Sequence, residues 1–156
     1  MKRSFQQLNS MYLALFLIQA FFCLTVVYIN SGEPEAKVVL ASLTEGPNFF
    51  KRILLMLGLP LIGAAWMLGF KRAQEGSMME GGIEAKAAHY RQTVIWRFAI
   101  LVAVNVLAII FAWVENDMSY LLYFAGGMLF FLAFRPSAEG FIRKYALSEQ
   151  EAGLLK

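Results

Sequence analysis

Long uncharged apolar runs, separated by short charged links, organise this chain. No charged residue occurs from Met11 to Ile29, and Ile53 to Phe70 is apolar between Lys51-Arg52 and Lys71-Arg72. Val94 to Val114 carries only Arg97, in its first turn, and Ser119 to Phe134 ends at Arg135-Pro136. A helix needs about 20 apolar residues to cross a hydrocarbon core of about 30 Å. The pattern therefore predicts four membrane spans, at 11–29, 53–70, 94–114 and 119–134, the last one short and finished by an Arg135 that snorkels to the boundary. Glu115-Asn116-Asp117-Met118 leaves room only for a tight turn, so the last two spans form a helical hairpin. The expected fold is all-α: an integral membrane four-helix bundle of two antiparallel hairpins with short interfacial amphipathic helices, residues 1–156 forming a single membrane domain.

The links hold little that could fold alone. Pro34 as a first-turn residue, Glu35 to Leu43 and a Gly46-Pro47 stop predict a short interfacial helix, with Asn48 capping the second span. Gly76 to Gly82 is flexible Gly/Met sequence, and Ile83 to Tyr90 is helix-prone enough to extend the third span. In the tail, 137–156, Ala138, Phe141, Ile142 and Tyr145 share one face, predicting an amphipathic piece on the lipid surface with Arg143 and Lys144 beside phosphate. Ser148-Glu149-Gln150-Glu151 is a capping box for a final turn. Lys2-Arg3 before an apolar stretch fits the start of a signal peptide. The stretch is longer than the usual core, however, and no small-x-small site follows it before Asn30-Ser31-Gly32, so an uncleaved span is expected. Tyr28, Trp113 and Tyr120 at outer boundaries, with Tyr12, Trp66 and Trp96 at inner ones, form interfacial belts; Trp66 also fits a core.

Composition and charge agree with this class and orient it. Of 156 residues, 59% are hydrophobic and 16% charged, more apolar surface than a water-soluble domain of this size buries. Lys2, Arg3, Lys71, Arg72, Lys86, Arg91, Arg97, Arg135, Arg143, Lys144 and Lys156 fall on one side of the predicted bilayer. Only Lys37, Lys51 and Arg52 fall on the other, so eleven cations stand against three. That bias puts both termini in the cytoplasm, with Lys51-Arg52 as the dissenting pair. The net charge of +3 is spent beside spans, where cations meet anionic lipid, and points to no nucleic-acid partner.

Few residues are candidates for chemistry. One cysteine and one histidine make neither a thiolate pair nor bis-histidine haem ligation, and no metal or cofactor is expected. Inside the spans, Gln19 shares a face with Tyr12, Cys23 and Val26, and Asn105 shares one with Phe98, Leu101, Ala108 and Ala112. Such amides bridge helices or line a pore. Thr25 returns its hydroxyl to its own helix. Pro60 is expected to kink the second span, eased by Gly58 and Gly63. Ala65, Gly69 and Ala125-Gly126-Gly127 offer close helix approach. Every Asp and Glu lies outside the apolar cores, which disfavours proton-coupled carriers and rotors. Tyr90, Arg91 and Arg97, with His89 beside them and Arg135 joining from the fourth span, make a basic-aromatic cluster suited to a lipid phosphate or to an anchoring belt. No P-loop, nucleophile elbow or metal motif occurs, and no catalytic residue is expected.

The order Tyr90-Arg91, Arg97-Phe98-Ala99, an apolar hairpin, Phe134-Arg135-Pro136-Ser137 and Leu147-Ser148-Glu149-Gln150-Glu151 resembles a group of small four-helix bacterial inner-membrane proteins. The resemblance covers about residues 90–151 and implies a bacterial inner-membrane location without an activity. Members of that group often carry a Glu-Gly pair inside the third span. Val102-Ala103 stands there in this chain, so no ion-binding role is implied. The leading expectation is a non-catalytic accessory or scaffold subunit acting through lipids and a membrane-protein partner or a second copy of itself. The alternatives are a small oligomeric channel or transporter around Gln19, Asn105 and Pro60, and a lipid-modifying enzyme at the basic-aromatic cluster.

Overall fold

The computed structural model describes residues 2–32 and 48–153. It is all-helical, 85% helix, with no strand among the described residues. Helix α1 runs Lys2–Ser31, α2 Phe49–Ser77, α3 Ile83–Val114 and α4 Tyr120–Ala133, followed by the short α5 (Ala138–Lys144) and α6 (Glu149–Gly153). The first three are long and apolar enough to cross a membrane, α1 from Phe5 onward. Helix α4 qualifies only when joined to α5 across a bend of 73°. The interfacial helix expected over Glu35 to Leu43 lies outside the described residues.

Apolar runs mark the middles of these helices, while their ends follow local chemistry. Lys, Arg, Gln and Ala are good helix formers, so α2 continues through Lys71-Arg72-Ala73-Gln74 to Ser77. The link expected from Gly76 is thereby shortened, and α3 begins at once after Gly82. Asn48 caps α2 by accepting the Lys51 N–H at 2.9 Å, satisfying a first-turn donor. Ser148 and Glu151 close the capping box before α6: Ser148 N–H donates to Oε2 of Glu151 at 2.9 Å, and Glu151 N–H to the Ser148 hydroxyl at 3.3 Å. Between α3 and α4 the chain reverses with Asn116 at φ 48°, the left-handed region that Asn tolerates. The Asp117 carboxylate accepts the Ser119 N–H at 2.9 Å to close the turn.

Helix α3 is the centre of the molecule. Helices α2 and α4 pack against it antiparallel, and α1 packs along it in parallel, Tyr12 meeting Phe98 and Asn30 donating to the Ala112 carbonyl at 2.9 Å. Among the described residues α2 thus pairs extensively with α3 and has no comparable packing on α1, so these two helices do not make the hairpin expected of them. Along α1 the inward positions Leu8, Tyr12, Leu15, Gln19, Cys23, Val26 and Asn30 are buried or half-buried. They recur every three or four residues, a narrow seam along one side of the helix.

The interior divides into two apolar clusters with a polar layer between them. One gathers Tyr12, Tyr90, Phe98, Phe131, Phe141 and Tyr145; the other gathers Val26, Leu54, Ala108, Ala112, Tyr120 and Phe124. Two of the expected belt residues belong to these clusters: Tyr12 stacks on Phe131 at 5.0 Å, and Tyr120 is fully buried. Trp66, Trp96, Trp113 and Tyr28 are exposed, which removes Trp66 from the core.

The tail corrects a further expectation. Phe141 and Tyr145 are buried against Phe5 and Tyr90, with Phe141 and Tyr90 ring centroids 5.0 Å apart, so the aromatic face of α5 covers the end of the bundle. Close approach at Gly76 permits this, since a Cβ there would fall 1.9 Å from the Tyr145 ring. An aromatic face offered by α1 and α3 holds these rings, because tilted ring pairs add to simple burial.

Candidate functional site

Four polar arrangements are built into this frame, and each was only partly legible before. The first is the layer between the apolar clusters. Asn105 Nδ2 donates to Gln19 Oε1 at 2.7 Å, and Gln19 Nε2 donates back to its own Leu15 carbonyl at 2.9 Å. Gln19 is 2% exposed and Asn105 0%, so both amides are turned into the bundle. Gly127 of α4 completes the layer. A Cβ there would fall 1.8 Å from Asn105 Oδ1, whereas one at Gly126 would meet nothing within 4 Å. The two glycines expected to act together are therefore unequal. Helix α2 continues through Pro60, which lies on its exposed side away from Gln19 and Asn105. The α2–α3 approach is made at Gly58, beside Val104, and at Ala65.

A second arrangement sits at the end of the molecule that holds the α3–α4 turn. Lys51 Nζ lies 2.8 Å from Asp117 Oδ2, with the two residues 5% and 1% exposed. Burial pushes the Asp117 carboxyl up. Bonds from Lys51 and from the Ser119 backbone, and the Lys51 charge, outweigh this and hold it below its ordinary value. Beside this pair the Tyr120 hydroxyl donates to the Glu115 carboxylate at 2.7 Å, and Glu115 also accepts from Asn48 Nδ2. None of this was visible in the sequence beyond the capping role of Asn48. The link between Lys51 and Asp117 joins residues far apart in the chain, and neither periodicity nor spacing encodes it.

The opposite end carries the third arrangement. Arg72 Nη1 lies 3.0 Å from His89 Nε2, and His89 Nδ1 lies 2.9 Å from the Tyr145 hydroxyl. A guanidinium can only donate, so Nε2 accepts, and Nδ1 carries the proton that points at Tyr145. Burial, ahead of the neighbouring charges, pushes the Tyr145 hydroxyl above its ordinary value and keeps it protonated. The histidine thus fastens the tail to α2 and α3. Among the described residues no group of three or more His, Cys, Asp or Glu side chains stands together as a metal site.

The fourth arrangement replaces the expected basic-aromatic cluster, whose members part company. Tyr90 and Arg91 line a cavity of about 500 Å³ with Phe5 and Leu8. Arg135 lines a separate cleft with Asn9, Tyr12 and Phe16. By the helical period Tyr90 shares a side of α3 with Arg97 while Arg91 does not, and Arg97 reaches toward α2. Its Nε donates to the Ala65 carbonyl at 3.0 Å, and its guanidinium carbon stacks 3.7 Å from the Phe134 ring centroid. Gly69 makes the room, since a Cβ there would fall 2.7 Å from that carbon. There Arg97 shares a cavity of about 440 Å³ with Arg143 and Lys144 of α5. The pattern of cations had named all three, but only the bend after α4 brings the last two to the first.

No protein-family model, curated protein or solved structure matches the chain, so these arrangements have to be interpreted from its own residues.

Proposed function

We propose that this chain is a multi-pass protein of a bacterial inner membrane, a four-helix bundle with both termini in the cytoplasm. Its role on this reading is non-catalytic: an accessory or scaffold subunit that works by lateral contact with lipid and with a membrane-protein partner or a second copy. The observation that carries the reading is the two-sidedness of α1. Its two buried amides are satisfied inside the chain, Gln19 with Asn105 and Asn30 with Ala112. Its other faces present Leu17, Ile18, Phe21, Phe22 and Leu24, each more than half exposed. Helix α2 is similar, with Met56, Leu59, Met67 and Phe70 outward. Apolar surface of this extent needs lipid or protein against it, and a buried amide pair worth about 0.6–2 kcal/mol in a membrane is a staple between helices.

Proteoliposome flux joined to a measurement of assembly tests this. The purified chain is expected to pass no ions or small solutes above protein-free vesicles. Phe21→Ala/Phe22→Ala is expected to dissociate a stoichiometric complex or homo-oligomer while leaving the melting of the isolated chain within about 1 kcal/mol. A flux abolished by Gln19→Leu or Asn105→Leu would instead establish the channel and overturn the scaffold.

A further inference from the structure

We propose that the cavity enclosed by α2, the buried Arg97 and the tail helix α5 is a binding site for the phosphate of an anionic phospholipid. Arg97 forms its floor, and Arg143 and Lys144 stand at its mouth. The inference rests on the membrane placement proposed above but not on the scaffold role, which the flux and assembly measurements test separately.

The floor is unusual in how little of Arg97 is used. The residue is 7% exposed, yet only Nε is bonded, to the Ala65 carbonyl, while Phe134 covers the face of the guanidinium. Among the described residues no carboxylate pairs with Arg97. The outer nitrogens are not sealed in the interior but open onto the cavity, where a guanidinium partly stripped of water favours an anionic acceptor. Both nitrogens belong to the planar guanidinium that lies against Phe134, the fork with which arginine grips a phosphate through two parallel bonds. Arg143 and Lys144 add two further cations, themselves exposed and likewise without a carboxylate partner among the described residues. Among the described residues no carboxylate lines the cavity, so a phosphate that carries a choline or ethanolamine cation would bring that cation against three like charges.

The walls distinguish a lipid from a soluble phosphate. Trp66, Phe70, Ala133 and Phe134 form one side of the cavity, with Trp66 59% and Phe70 64% exposed, so the apolar wall runs out onto the surface of α2. Gln74 and Ser77, one and two turns further along α2, offer an amide and a hydroxyl to a headgroup. Chain order sets the depth: Arg97 lies in the first turn of the 94–114 apolar run, and Phe70 ends the 53–70 run. Phosphate beside Arg97 would therefore lie at the boundary with acyl chains descending past Trp66. At about 440 Å³ the cavity suits a glycerophosphate head and the first methylenes of a chain.

Native mass spectrometry of the chain in mild detergent tests this, with phosphatidylglycerol, phosphatidylcholine and glycerol 3-phosphate as probes. The chain is expected to retain phosphatidylglycerol in preference to phosphatidylcholine. Arg143→Gln/Lys144→Gln, at exposed positions that leave the bundle intact, is expected to lower that retention about thirtyfold, as two juxtamembrane cations would. Arg97→Gln is expected to abolish it, with helix content by circular dichroism confirming that the chain stays folded. Equal retention of the two lipids, or unchanged retention in the double variant, overturns the proposal. Glycerol 3-phosphate bound as tightly as phosphatidylglycerol would overturn the lipid as the source of the phosphate.

Discussion

The contact between Lys51 and Asp117 is costly to break. Both are almost fully buried and 2.8 Å apart, and removing one partner from such a pair leaves an uncompensated charge, at about 3–5 kcal/mol. Lys51→Met is expected to destabilise by that amount in thermal melts, and Lys51→Met/Asp117→Leu to recover most of it. Because the folded carboxyl is held below its ordinary value, its stabilisation is complete above the unfolded value of about pH 4. It is lost as pH falls through the lowered folded value. Melts from pH 6 down to 2 are expected to show that acid-side loss in the parent chain and a smaller one in the double variant. At this scale the sequence is legible where the partner is near. The Asn48 cap, the Ser148/Glu151 box and the Thr25 bond to the Phe21 carbonyl at 2.9 Å each act within four residues, so a local pattern specifies them. The basic residues beside the spans separate for the opposite reason, since what each one meets depends on which element packs over it.

Among the elements, α5 shows how a helix can be read for its pattern and still be misassigned to a surface. Its amphipathic spacing is present, and so is its Ser137 cap, which accepts the Gly140 N–H at 3.0 Å. What the pattern could not specify was the occupant of the apolar face, which is the bundle's own aromatic end. Two features fix it there, the space at Gly76 and the His89 bond to Tyr145, and they are separable by substitution. Tyr145→Phe loses one hydrogen bond and is expected to cost about 1 kcal/mol. Gly76→Ala obstructs the ring and is expected to release the tail altogether. Hydrogen exchange over residues 138–145 would read the difference: protection nearly kept in the first variant and lost in the second. Tail protection surviving Gly76→Ala would mean that the ring has another seat.

For the whole molecule, the apolar runs specified the helices and left their arrangement open. That α3 is central follows from the three helices, α1, α2 and α4, that pack on it over one broad buried face, Val94, Arg97, Phe98, Leu101, Val104 and Asn105 among its residues, a feature visible only once neighbours are present. Orientation rests on the cation count, and Lys51, one of its dissenters, is engaged with Asp117. Cysteines at Asn116 on one side and at Ser77 and Ser148 on the other would test it. An impermeant reagent added to intact cells is expected to reach the first and miss the others, and the reverse pattern would invert the protein. The Gln19–Asn105 bond also imposes a schedule on assembly. Its partners are 86 residues apart in the chain, so at about 5–20 residues per second the ribosome delivers the second some 4–17 s after the first. In the proposed membrane setting α1 waits in lipid through that interval with a polar side chain uncovered. The bond that Gln19 already makes to Leu15 of its own helix lowers the cost of the delay. The Gln19 amide N–H is already occupied, and α1 completes the staple on a helix made long after it.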